Sequence, residues 1–192
     1  MRKPPTELAH KLIEAAEKVA GAGADFSVES VAQAAGVPRA TLYYYFSGKD
    51  DLADYFLNDK LERVRVAIAK AAAQEGTVID RLQACVRSVL RALAEYPSLC
   101  TDLPATMHGA DAHAEVAMNA ERVLMAPIRE LLIEGNATGE LNVPDPGIAA
   151  TALNGAVGFV AMQQFHAHGS FDPDSLADLL NPCIIEGLRV RG

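Results

Sequence analysis

Apolar residues recur along this chain at spacings of three and four, and no segment alternates apolar and polar residues convincingly with period two. Such spacing lines one face of an α-helix, so the chain reads as all-α, with about nine helices. The first, about 6–22, carries Leu8, Leu12, Ile13, Ala16, Val19 and Ala20 on one face and runs out at Gly21 and Gly23. Ser27 is a good N-cap for a short second helix through Ala35, Gly36 breaks it, and Pro38 suits the opening turn of a third helix reaching about Tyr45. A long fourth helix is predicted over 49–74, stopped by Gly76, and a fifth over 78–95, halting near Pro97. Residues 98–109 read as a short helix plus loop, 111–134 as a longer helix kinked at Pro127, and 136–139 as a turn. Asp145-Pro146 and Asp172-Pro173 each pair a capping acid with a proline, opening the last two helices at about 146–167 and 173–189. The expected organisation is a head of residues 1–48 and a helical body of residues 49–192.

Composition supports a folded chain: of 192 residues, 50% are hydrophobic and 22% charged, enough to bury a core and too apolar for disorder. No apolar run approaches the roughly 18 residues that span a bilayer. Met1-Arg2-Lys3-Pro4-Pro5 leads into a polar helix rather than a signal peptide, so no membrane partner and a cytoplasmic location are expected. Cys85, Cys100 and Cys183 are odd in number, far apart and set in apolar surroundings, which fits reduced core thiols better than disulfides or a metal site. The formal charge of −8 is unevenly spread: six basic and six acidic residues stand within the first 50, and the remainder carries the whole deficit. A neutral head on an acidic body can grip a polyanion if its cations cluster on one face, though with weak non-specific affinity.

The two short helices joined through Gly36 have the plan of a helix-turn-helix, whose second helix enters the DNA major groove. Val31, Ala35, Val37 and Leu42 supply a small core, and Ala32 permits close helix approach. Arg39, Thr41, Tyr43, Tyr44 and Tyr45 are then left to face outward. A guanidinium suits guanine edges, hydroxyls suit phosphates or bases, and aromatic rings suit thymine methyls. Consecutive helical residues point about 100° apart, so the run Tyr43-Tyr44-Tyr45-Phe46 cannot all turn inward; Phe46 is the one assigned to the core.

Val31-Ala32, Ala35-Gly36-Val37, Thr41 through Phe46, and Lys49-Asp50-Asp51-Leu52 together resemble the tetracycline-repressor (TetR) family, over roughly residues 8–56. The resemblance implies that Arg39, Thr41, Tyr43 and Tyr44 face the groove, that Tyr45 and Lys49 contact phosphates, and that Ser27 caps the second helix beside the DNA backbone. It also implies a homodimer on a palindromic double-stranded operator, and a small-molecule effector held in the body. Three positions depart from the family habit: Pro38 stands where a small polar residue is frequent, Tyr45 where histidine is frequent, and Glu29 where a basic residue is often found.

For the effector, Tyr96, Met107, His108, Met118, Arg122, Met125, Asn154, Phe159, Met162 and Gln163 mix soft apolar surface with isolated polar groups, the composition of a ligand cavity. Each also has a plainer reading: Met118 and Met125 as core packing, Arg122 as an ion-pair partner rather than an anion clamp, His108 as solvated. Apolar lining argues for a hydrophobic or amphipathic small molecule. For dimerisation, Ala152 and Ala156 lie on a thin, Ala/Gly-rich eighth helix, and Leu176, Leu179, Leu180, Cys183, Ile184, Gly187 and Leu188 on an apolar stripe of the ninth. No nucleophile elbow, phosphate-cradling glycine loop, paired-cysteine site or HExxH helix occurs, so neither catalysis nor a metal or cofactor is expected. The rival reading is a helical ligand- or partner-binding protein whose head no longer binds DNA, supported by the acidic balance and Glu29.

Overall fold

A computed structural model describes residues 3–21, 26–97, 99 and 114–188, and the chain divides into two compact units, Met1–Asp59 and Lys60–Gly192. The head contains α1 (Thr6–Gly21), α2 (Val28–Ala35), α3 (Arg39–Tyr45) and the start of α4 (Lys49–Ala72). Its core is built from Leu12, Ala15 and Val19 of α1, Val28, Val31 and Ala32 of α2, Leu42 of α3, Phe46, and Leu52 and Phe56 of α4. The expected division at residue 48 coincides with the start of α4, whereas the head extends to Asp59 because Leu52 and Phe56 are buried in its core. The Phe56 ring meets Phe26 edge-on at 6.0 Å and Tyr55 at 5.5 Å.

The body holds the rest of α4, then α5 (Val78–Glu95), α6 (Ala114–Ala120), a π-helical turn (Glu121–Met125), α7 (Ala126–Thr138), α8 (Pro146–His168), α9 (Pro173–Ile184) and a short 3-10 turn (Glu186–Leu188). α5 is its centre, packing against α7, α8 and α9 with Val78, Ile79, Leu82, Cys85, Val86, Val89 and Leu90 buried. Its first turn is closed by a reciprocal pair: Thr77 Oγ1 accepts from the Asp80 N–H, and Asp80 accepts from the Thr77 N–H. The Glu140 carboxylate takes the next free donor, Val78 N–H, at 2.9 Å. Farther along, Arg87 pairs with Asp174 and Asp178, and Arg91 with Asp174, tying α5 to α9.

Two boundaries differ from expectation for local reasons. The helix expected over 111–134 is described from Ala114 and runs to Thr138, so residues 136–138 are helical rather than a turn, and Gly139, at φ 77°, ends it. The kink expected at Pro127 is a π turn just before it, where the Ala126 N–H reaches back five residues to Glu121 O. A wider turn relieves the clash a proline ring makes with the carbonyl four residues earlier. Within α7, Gly135 is required by contact: a Cβ there would lie 2.4 Å from Leu141 Cδ1 and 3.1 Å from Val78 Cγ1.

Of the short helix plus loop expected over 98–109, Leu99, helical and buried, is described, and the other residues, Cys100 among them, lie outside the described residues. Cys85 is a buried free thiol, pushed up to about 11 by burial, but Cys183 is exposed, contrary to the expectation of a core thiol. Among the described residues, no helix is long and apolar enough to cross a membrane, and no group of three His, Cys, Asp or Glu side chains is placed to hold a metal ion.

Candidate DNA-reading surface and effector cleft

The reading surface is assembled by two caps and one anchor. Ser27 has extended backbone; its Oγ accepts from Ser30 N–H at 3.1 Å, and Ser30 Oγ accepts from Ser27 N–H at 3.0 Å. That exchange fixes where α2 starts. Gly36, at φ 66°, turns the chain left-handed at the end of α2, a conformation that disfavours any side chain. Leu42 is fully buried, so one face of α3 is pinned to the core and the opposite face must look outward.

That outward face carries Arg39, Ala40, Tyr43 and Tyr44, all exposed; for rings as large as those of Tyr43 and Tyr44, 50% and 61% exposure is unusual. Thr41 and Tyr45, expected alongside them, are half-buried. Tyr45 packs against the head core, with its ring edge-on to Tyr44 at 4.9 Å and tilted against Phe46 at 6.5 Å. Phe46 is in the core, as its apolar ring suggests. Lys49 is exposed at the first residue of α4, and Ser27 is half-buried beside the start of α2. Ala40 escaped the sequence reading because a methyl group signals no chemistry, though its i, i+4 relation to Tyr44 places it on the same face.

A second feature was invisible in the sequence. Glu29 Oε1 accepts from both the Arg39 guanidinium and, at 3.1 Å, the Tyr43 hydroxyl. A hydrogen bond to its own backbone N–H, and then those from Arg39 and Tyr43, hold the Glu29 carboxyl below the usual carboxylate range. It is therefore ionised at neutral pH, and the most prominent cation of the reading face is already paired.

In the body, a cleft of about 370 Å³ opens between α4 and α5, lined by Arg63, Val64, Ala67, Lys70, Ala71, Gln74, Ser88, Arg91, Ala92, Glu95 and Tyr96. A second, also about 370 Å³, is lined by Ala69, Ala72, Ala73, Arg81, Pro127, Glu130, Leu131 and Glu134. Among the described candidate ligand residues, Tyr96 alone lines either cleft; burial and neighbouring Glu95 push its phenol up.

The other described candidates line neither of these two clefts. Met118, Arg122, Phe159 and Gln163 are exposed, and Met125, Asn154 and Met162 half-buried. Arg122 donates to Asn119 Oδ1 at 2.7 Å, and Asn154 Nδ2 donates to Leu124 O and Ala150 O, which ties α8 to the π turn. Met107 and His108 lie outside the described residues. The sequence missed Arg63, Lys70 and Arg91 because they read as an ordinary solvated helix face.

α8 and α9 present an apolar surface to solvent. Leu179, on the apolar stripe expected at the interface, and Ile148, which was not expected there, are 70% and 71% exposed, and Phe159, expected at the effector, is 58% exposed. Ala152 and Cys183 are exposed too, while Ala156, Leu180, Ile184 and Leu188 are half-buried. Leu176 is turned into the body's own core instead.

The sequence pattern described as bacterial regulatory proteins, tetR family, matches residues 12–56, and that described as tetracyclin repressor-like, C-terminal domain, matches residues 75–188. The fold is similar to that of the fatty acid degradation regulator FadR from Bacillus halodurans, with 23% identity, 100% of each chain covered and a TM-score of 0.78. It is also similar to the transcriptional regulator FadR from Bacillus subtilis in complex with stearoyl-CoA, with 17% identity, 94% of this chain and 99% of that one covered and a TM-score of 0.79. A third similar structure is AibR in complex with isovaleryl coenzyme A and operator DNA, with 17% identity, 92% and 97% covered and a TM-score of 0.70. No curated protein matches the chain.

Proposed function

Because this chain belongs to the tetracycline-repressor (TetR) family of bacterial regulatory proteins, we propose that it is a cytoplasmic homodimeric repressor, with no catalytic step, that leaves its operator when an acyl-coenzyme A thioester occupies the body. The observation that carries the DNA half is the face of α3, where Arg39, Ala40, Tyr43 and Tyr44 stand outward opposite the buried Leu42. Arg39 donates to guanine edges, the Tyr43 and Tyr44 rings meet thymine methyls or sugars, and Lys49 and Ser27 hold phosphates. Half-buried Thr41 and Tyr45 contribute their hydroxyl groups at the margin of that face.

Dimerisation is supported by Ile148, Phe159 and Leu179, three large apolar side chains left in water on α8 and α9 of one protomer. Burying each stabilises the pair by about 1.5–3 kcal/mol. Closure about a two-fold axis sets two heads on one side of a palindromic duplex.

The effector class is supported by two of the similar structures, which hold stearoyl-CoA and isovaleryl coenzyme A, and by the chemistry of the α4/α5 cleft. Its floor is apolar, with buried Val64, Ala71 and Ala92, and its rim carries Arg63 and Lys70, beside Glu95 and the Asp174-paired Arg91. An acyl tail and a phosphorylated nucleotide match such a pairing. Release then follows from population shift: the ligand binds better to a state whose heads no longer fit successive major grooves, with α4, which contributes to both units, as the lever.

Fluorescence anisotropy with the DNA upstream of the protein's own gene, at two salt concentrations and with added stearoyl-CoA or isovaleryl-CoA, tests both halves. Saturable, salt-sensitive binding that either thioester reverses is the expected result. Binding that both thioesters leave unchanged removes the effector assignment and keeps the repressor. No sequence preference, there or in a selection from random duplexes, leaves the ligand-binding rival, which the neutralised Arg39 favours.

A further inference from the structure

Glu29 and Arg39 stand ten residues apart, on α2 and α3, yet one carboxylate oxygen of Glu29 takes both the Arg39 guanidinium and the Tyr43 hydroxyl. All three side chains are open to water, with the Arg39 side chain 65% and the Glu29 side chain 43% exposed. An ion pair that open to water adds little to stability, so holding α2 to α3 is a small part of its effect. Buried Val31, Ala32 and Leu42 already do that.

We propose that Glu29 is a positioning residue for sequence reading: it aims Arg39 and Tyr43 as one preset unit at base edges and withholds Arg39 from indiscriminate contact with phosphate. The assignment rests on the DNA-binding reading above. A guanidinium has five N–H donors, so one anchored edge leaves the rest free to donate bidentately to a guanine. An unanchored arginine searches many rotamers and settles on the nearest phosphate, which carries no sequence information. The carboxylate charge adds to the effect, because within a Debye length of about 8 Å it repels the phosphate backbone uniformly along any sequence.

The test uses the full-length protein, a duplex that the wild type selects from a random pool, and an unrelated duplex of equal length, each over a range of salt. Glu29→Gln is expected to bind the unrelated duplex about tenfold more tightly, to steepen the slope of log K against log salt by about 0.9 as Arg39 gains a phosphate, and to lower the selected-to-unrelated ratio about tenfold. Glu29→Asp keeps the charge and the first-turn acid of α2 but withdraws the oxygen by one methylene. It is expected to lower the ratio and steepen the salt slope in the same sense although the charge is kept, which separates aim from charge. In an Arg39→Ala background both substitutions should move the ratio much less, since only the Tyr43 hydroxyl is then left for Glu29 to aim.

Equal tightening on both duplexes overturns the proposal, reducing Glu29 to a repulsive charge. So does a ratio that falls as far without Arg39 as with it. A wild type that selects no sequence at all removes the DNA-binding reading itself, and that result appears before any variant is compared.

Discussion

The head and the body solve opposite problems with the same helical material. In the head, function sits on a short continuous stretch, residues 27–49, and the groups that stand outward are polar or amphipathic: Arg39, Tyr43, Tyr44 and Lys49. In the body the candidate cleft draws on residues from 63 to 96, and the outward groups of α8 and α9 are apolar: Ile148, Phe159 and Leu179. An exposed polar face needs nothing further to be stable in water, and it waits for a ligand that is itself polar. An exposed apolar face is stable only when covered, and the partner argued for it is a second copy.

That contrast breaks most visibly if the apolar face is made polar. Phe159→Glu combined with Leu179→Glu should leave a monomer near 20.4 kDa in sedimentation, with operator affinity down roughly a hundredfold or more, because two linked heads lose their mutual effective concentration. A dimer that survives this change would put the interface elsewhere. Gly135→Val attacks the body alone. Overpacking against buried Leu141 and Val78 should cost about 2 kcal/mol, seen as a melting midpoint several degrees lower, with α2 and α3 undisturbed.

Arg39→Ala does the converse, leaving the melting midpoint in place while operator binding falls about tenfold and preference at the contacted base pair relaxes. The smallest expected effect is that of Ser27→Ala, about 1 kcal/mol of head stability from the lost cap of α2, read as faster amide exchange at Ser30 and Val31. A variant at Ser27 that weakened operator binding without changing exchange would mean that its hydroxyl serves DNA more than the helix.

Most helices were legible in the chain because capping and breaking are local chemistry: Ser27, Gly36, Asp145 and Asp172 act on neighbours two or three residues away. The end of α7 was misplaced because Asn136 looks like a turn former, yet its side chain bonds Val143 instead, donating to the Val143 carbonyl and accepting from its N–H. The outward set of α3 was nearly complete for the same local reason; only the depth of Thr41 and Tyr45 and the presence of Ala40 needed coordinates. The candidate effector residues carry no such local signal. Phe159 and Met118 were chosen for their softness, a property that core, interface and pocket share, and nothing in their sequence surroundings separates the three.

By itself, then, the sequence determined what periodicity, caps and a dense local motif can encode: an all-helical chain, a helix-turn-helix, and the side chains on its second helix. Tertiary structure alone decided that Glu29 meets Arg39 and Tyr43 across the turn, that a cleft with apolar and charged lining opens between α4 and α5, and that Leu176 turns inward while Leu179 does not. The physical reason is range. Helix formation is settled by neighbours within a turn or two, whereas the side of a helix that meets water is settled by residues far along the chain that cover the other side.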